Sequence, residues 1–152
     1  MIRVVVQEAD FDAGAVLGQL QRDARDAGAI ASFIGIVRPE SGGEPLVSMT
    51  LEHYPGMTER ALEEIAASAG RRFGLSAVTV IHRVGRLVAG AQIVLVAASS
   101  LHRQAAFDGV QFIMDYLKTR APFWKLEERA SGMHWVEARS SDDDAAARWE
   151  AS

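Results

Sequence analysis

No cysteine occurs among the 152 residues. The fold therefore has no disulfide staple and no thiolate–metal centre, and must be held by a buried apolar core. The chain is long enough for one such core, and 49% of it is apolar. The missing thiol also constrains chemistry. Every Cys nucleophile is excluded, and if the protein handles sulfur it cannot carry it on a thiol of its own. The formal net charge of −4 argues against a general nucleic-acid binder, which needs a basic surface, though it leaves room for a local cationic pocket. No apolar run reaches the ~18 residues of a membrane span. Met1 to Val6 reads as a first strand rather than a secretion signal, so the expected compartment is the cytoplasm.

Periodicity orders the chain. Residues 2–7 are β-rich. Asp10 or Asp12 caps a helix to about Asp26, with Val16, Leu20 and Ala24 at helical spacing, and Gly28 ends it. Residues 29–38 read as a strand finishing on Arg38, and 39–45 as a flexible loop. In 46–54, Val47, Met49, Leu51 and His53 alternate with Ser48, Thr50, Glu52 and Tyr54. Pro55 opens a helix whose apolar stripe is Leu62, Ile65, Ala66, Ala69 and Phe73, closed by Gly74. Residues 77–84 and 91–99 are two strands joined by a turn holding Gly85 and Gly90. A helix over about 103–118 carries Ala106, Val110, Ile113 and Leu117, and Pro122 stops it beyond Arg120. Residues 120–125 read as a loop, 133–139 as a last strand, and the acidic end from Ser140 as a surface helix or frayed end. The expected class is α+β, with a mostly antiparallel sheet and about three helices.

Two groups of residues carry candidate chemistry. Basic side chains stand at element ends: Arg38, His102, Arg103, Lys118, Arg120 and Lys125. Arg forks and Lys point charges suit phosphate or carboxylate ligands, and a helix start near Arg103 adds unpaired N–H groups. The plain alternative is that Lys118 and Arg120 complement the negative end of the helix dipole and Arg38 is a solvated strand end. In Arg120-Ala-Pro-Phe-Trp-Lys125, Phe123 and Trp124 either wall a pocket for a flat heterocycle or pin a loop to the core. The four histidines show no metal-binding spacing, and His53 and His82 read as strand residues with ordinary hydrogen bonds. His102 and Lys118 lie sixteen positions apart on one helix, about 24 Å at 1.5 Å per residue. If both ends serve one small-molecule site, two copies must share it across a two-fold interface.

Five segments resemble the MoaE family of molybdopterin synthase catalytic subunits. They are Gly28-Ala-Ile-Ala-Ser-Phe-Ile-Gly-Ile-Val-Arg38, Leu51-Glu-His-Tyr-Pro-Gly-Met57, Ile81-His-Arg-Val-Gly85, Ser100-Leu-His-Arg-Gln-Ala-Ala-Phe-Asp-Gly109 and Asp115-Tyr-Leu-Lys-Thr-Arg-Ala-Pro-Phe-Trp-Lys125. The resemblance implies an α/β hammerhead-type fold and a homodimer. Each copy would bind a small ubiquitin-like sulfur-carrier subunit, giving a heterotetramer. The carrier's Gly-Gly tail, ending in a thiocarboxylate, would deliver sulfur to cyclic pyranopterin monophosphate and so form the dithiolene of molybdopterin. By motif, Lys118 and Lys125 map as catalytic and Arg38, His102, Arg103 and Arg139 as substrate-binding, with Phe33, Met114, Phe123 and Trp124 as pocket or core residues. No resident cofactor or metal, nucleic-acid partner or membrane is implied. Residues 1–140 would form one catalytic domain and 141–152 an acidic, Ala-rich tail. Two other readings stay open: a non-catalytic scaffold for a ubiquitin-like partner, and a regulatory small-molecule-binding module.

Overall fold

A computed structural model describes residues 1–41, 43–136 and 140–150. In chain order the elements are β1 (Ile2–Gln7), α1 (Ala13–Asp23), β2 (Ala29–Ile36), β3 (Glu40–Ser41), β4 (Glu44–His53), α2 (Met57–Phe73) and β5 (Ala77–Arg83). There follow β6 (Gly85–Val88), β7 (Gln92–Ser100), α3 (Arg103–Arg120), β8 (Phe123–Arg129), β9 (Gly132–Val136) and α4 (Ser140–Glu150). The first sheet has the order β1-β5-β7-β2. The second has β3-β4-β8-β9, with β6 also on β4. Among the described residues only the β1–β5 ladder is parallel. The α+β class follows from segregated helices on an antiparallel frame.

The first sheet is covered on both faces, which is why β5 and β7 are buried almost throughout. On one side α2 and α3 pack Leu62, Ala66, Val110 and Ile113 against Val78, Val80 and Val96. On the other, α1 sets Leu20 against Leu95 and Ala97. Asp12 caps α1 by accepting from the Ala15 N–H at 3.1 Å. Gly74 ends α2 at φ +66°, a left-handed cap that favours glycine.

Several segments differ from the periodicity reading, each for a physical reason. The 39–45 loop contains a short hairpin, β3 on the start of β4. Helix α2 begins at Met57 rather than Pro55, because Gly56 at φ +86° turns the chain first. The turn between β5 and β7 is long enough to hold β6, which leaves the first sheet and pairs with β4. A register shift between Leu46 and Ser48 takes Val47 out of alternation: it is exposed while Leu46, Ser48, Met49 and Leu51 are buried. The segment taken as a loop at 120–125 runs into β8, a full strand between β4 and β9. The last strand starts one residue earlier, at Gly132. The acidic end is a fourth helix, docked on α3: Trp149 meets Phe112 edge-on at 5.6 Å and donates its indole N–H to Asp115 at 2.7 Å.

The Pro122 turn that leads into β8 is held from α2. The buried Thr58 hydroxyl donates to the Pro122 carbonyl at 3.0 Å and accepts from the Tyr54 N–H at 3.0 Å. Thr58→Val keeps the shape and leaves both backbone groups unpaired, so the urea midpoint is expected to fall by the equivalent of about 1–3 kcal/mol. An unchanged midpoint would show that neither bond matters.

Candidate active site

The two sheets and the C-terminal half of α3 enclose a cavity of about 390 Å³. Its cations are Arg38, Lys118 and Lys125. Three different elements supply them. Arg38 follows β2 and is fixed by Val37, which is fully buried and clasped by the 90–91 turn: the Val37 N–H donates to the Ala91 carbonyl at 2.9 Å, and the Gly90 N–H to the Val37 carbonyl at 2.8 Å. Gly90, at φ +88°, makes that turn possible. Lys118 comes from the last turn of α3. Lys125 comes from β8, opposite Leu51 of β4 and Val136 of β9.

Strand alternation on β8 decides which neighbours share the cavity. Phe123, Lys125 and Glu127 face it, while Trp124 points away and is 46% exposed. The apolar wall thus contains Phe33, Met114 and Phe123 but not Trp124, which neither lines the pocket nor lies in the core, the two places read for it. Glu127 is an acid of the cavity lining. It lies 2.6 Å from the Arg129 guanidinium, and that ion pair offsets its charge within the second sheet. Asp142 of α4 also borders the cavity.

His102 and Arg103 do not enter it. They stand at the opposite, N-terminal end of the 18-residue α3, both exposed, beside the exposed apolar side chains of Leu101 and Phe107. The separation expected along the helix is therefore real, and among the described residues one copy of the chain brings together Arg38, Lys118 and Lys125 of the candidate cations. Arg139 lies outside the described residues.

Sequence reasoning passed over three polar residues of the cavity, His82, Glu127 and Asp142. Glu127 was findable by carrying the alternation on from Lys125. His82 read as an ordinary strand residue, yet its ring is 5% exposed, stacks on Phe123 at 3.9 Å between centroids and borders the cavity. Burial first, then the nearby positive charges of Lys118 and Lys125, push its pKa down to about 4, against the raising effect of a hydrogen bond to the Arg83 carbonyl. The ring is therefore neutral at pH 7.

That shift has a consequence for stability. A histidine that the fold keeps neutral binds fewer protons when folded than when unfolded between pH 6.5 and about 4. Its contribution is thus complete above pH 6.5 and lost as pH falls towards 4. The wild type should lose on the order of 3 kcal/mol more than His82→Phe between pH 7 and pH 4. Urea unfolding at a series of pH values reads this difference, and parallel curves for the two proteins would contradict it.

Among the described residues no three His, Asp or Glu side chains gather in a metal-holding arrangement, and no helix is long and apolar enough to cross a membrane. Among the described residues the cavity offers three cations around an apolar, aromatic-walled space. That combination suits a flat, anionic small molecule.

Comparison with known proteins points the same way. The family described as "MoaE protein" matches residues 6–120. The molybdopterin synthase catalytic subunit of Pseudomonas aeruginosa is 54% identical over 145 residues, which is 95% of this chain and 97% of that protein. The solved structure of the molybdopterin biosynthesis MoaE protein from Burkholderia ambifaria superposes with a TM-score of 0.85 at 50% identity, covering 99% of each chain. The crystal structure of molybdopterin synthase from Staphylococcus aureus gives a TM-score of 0.79 at 25% identity, over 87% of this chain and 95% of that one.

Proposed function

The chain belongs to the MoaE protein family, and from that premise we propose that its cavity is the site at which sulfur is passed to a pterin. The protein is the catalytic subunit of molybdopterin synthase, a sulfurtransferase. Sulfur arrives as the C-terminal thiocarboxylate of a small ubiquitin-like carrier subunit and is transferred to cyclic pyranopterin monophosphate, building the dithiolene. The observation that carries this reading is the convergence of Arg38, Lys118 and Lys125 on one apolar-walled cavity in a chain without a thiol. A protein that moves sulfur with no cysteine must receive it already activated.

The roles follow from charge and position. Lys118 and Lys125 are the catalytic pair. Once the carrier's sulfur has displaced an oxygen on a pterin carbon, water attacks the resulting thioester carbon. Two ammonium groups at the cavity wall stabilise the oxyanion and relay protons as the acyl C–S bond breaks, leaving the sulfur on the pterin and the carrier tail as a carboxylate. Arg38 holds the cyclic phosphate with its guanidinium fork. His102 and Arg103 act on the same substrate from a second copy, and the exposed Leu101 and Phe107 beside them supply apolar surface for that contact. Arg139 belongs to the same substrate-binding set. The working assembly is a homodimer with one carrier on each copy, acting in the cytoplasm. The catalytic unit is residues 1–140, with the acidic segment docked on its α3.

Mixing the purified chain with thiocarboxylated carrier and the cyclic pterin tests this reading. Dithiolene product, detected as the fluorescence of its oxidised form, is the expected result. Carrier binding without product would favour the scaffold reading; pterin binding without any carrier interaction would favour the regulatory module.

A further inference from the structure

Among the described residues, His82, Glu127 and Asp142 are the polar side chains at the cavity that the roles above leave unused, and His82 is the buried one. Its Nδ1 lies 2.8 Å from the Arg83 carbonyl oxygen. A carbonyl only accepts, so Nδ1 carries the ring hydrogen and Nε2 is left as a bare lone pair. The stack on Phe123, tilted by only 18°, fixes the plane of the ring. Nε2 makes no hydrogen bond with the described residues, yet no side-chain nitrogen or oxygen among them is both buried and unpartnered. Nε2 therefore opens to the cavity that His82 borders. The charged and titratable groups around it are Lys118 of α3, Lys125 and Glu127 of β8, Arg38 after β2, Asp142 of α4 and His53 of β4. Of the cations, Lys118 acts most strongly on the ring.

We propose that His82 is a positioning residue for Lys118, its Nε2 lone pair serving as a fixed, uncharged acceptor that draws the lysine ammonium from the exposed end of α3 into the cavity. The proposal rests on the reading of Lys118 as catalytic. A lysine at a helix end has many rotamers, most of them in water. An acceptor locked by a stack and a backbone hydrogen bond selects the inward ones. Because the ring stays neutral, it orients the ammonium without taking its proton or repelling it.

Two measurements test this together. In protein labelled with 15N-histidine, the His82 resonances should show a protonated Nδ1 and an unprotonated Nε2 from pH 7 down to pH 5. A protonated Nε2 would overturn the proposal outright, whatever any variant does. The second is a double-mutant cycle. His82→Phe keeps the stack and removes the acceptor; His82→Gln returns an oxygen or nitrogen near the Nε2 position. The expected loss of kcat in His82→Phe is about 10- to 30-fold, with KM for the pterin and affinity for the carrier little changed. His82→Gln should recover a large part of it. In the Lys118→Ala background, His82→Phe should cost nothing further. Losses that multiply, or a His82→Phe enzyme with wild-type kcat, would sink the proposal while leaving Lys118 in the mechanism. Full turnover by Lys118→Ala would instead sink the catalytic reading on which it rests. If His82→Phe fails to fold, the cycle is read with His82→Gln and its wild-type-like kcat is the expected result, a kcat reduced as far as in Lys118→Ala being the contrary one.

Discussion

Lys118→Ala and Lys125→Ala are each expected to lower turnover by about 10²–10³-fold, the range lost when a preorganised charge is removed from a developing oxyanion. Carrier affinity should stay within about twofold, because two small truncations inside a 390 Å³ cavity leave the outer docking surface as it was. The two variants should nonetheless differ in stability. Lys118 is exposed at the end of α3, where truncation removes only a favourable charge from the helix C-terminus, worth about 0.3–1 kcal/mol. Lys125 is half-buried in the middle of β8, between Leu51 and Val136, and its stem covers apolar surface of both neighbouring strands. Lys125→Ala should therefore also lower the melting temperature, and Lys125→Met, which keeps the stem, should restore the melting temperature without restoring turnover. Single-turnover product formation and thermal unfolding on the same preparations check both parts. Unchanged turnover in either lysine variant would remove that lysine from the mechanism.

His102→Ala and Arg103→Ala are expected to reduce kcat/KM by about 10- to 100-fold, although neither residue borders the cavity of its own copy. Their effect should fall mainly on KM for the pterin, since they are assigned to the substrate's anionic oxygens, where charge is present before as well as during reaction. The fold should be untouched: both side chains are exposed, and His102 makes no side-chain capping bond to α3. A lone chain gives no reason for this sensitivity. Wild-type kinetics in both variants would mean that the far end of α3 has no part in the site.

The amphipathic helices were readable because their apolar positions recur at helical spacing: Leu62, Ile65, Ala66 and Ala69 in α2, and Ala106, Val110, Ile113 and Leu117 in α3, are all buried. Strand β8 was not, because Phe123 to Arg129 carries charge on both of its faces and hides its period-2 pattern. Its charged face is needed: Lys125 and Glu127 point into a cavity rather than into water or core. A helix from Ser140 was one of the two readings offered, but its docking on α3 escaped for a related reason. Three consecutive aspartates at 142–144 dominate the segment, while the residues that dock it, Ala146 and Trp149, are a minority. For the site, the basic residues at element ends were legible as a set. Which of them meet was not, because that depends on how the two sheets fold over α3, and only the helix length separating His102 from Lys118 was available beforehand. His82 was invisible as a site residue: a histidine in a strand carries no local mark of the ring stacked on it or of the cavity beside it.

The central claim is that two copies of this chain complete each other's cationic site, and mixed dimers test it most directly. Lys118→Ala chains and His102→Ala chains carrying different affinity tags are co-expressed, and the doubly tagged dimers are isolated and assayed for dithiolene product at pterin concentrations well below KM. Each such dimer has one cavity in which both substitutions meet and one in which neither occurs. Recovery to about half of the wild-type rate is expected, from parents that are each severely impaired under these conditions. Doubly tagged dimers no more active than the mean of the two parental proteins would contradict the claim.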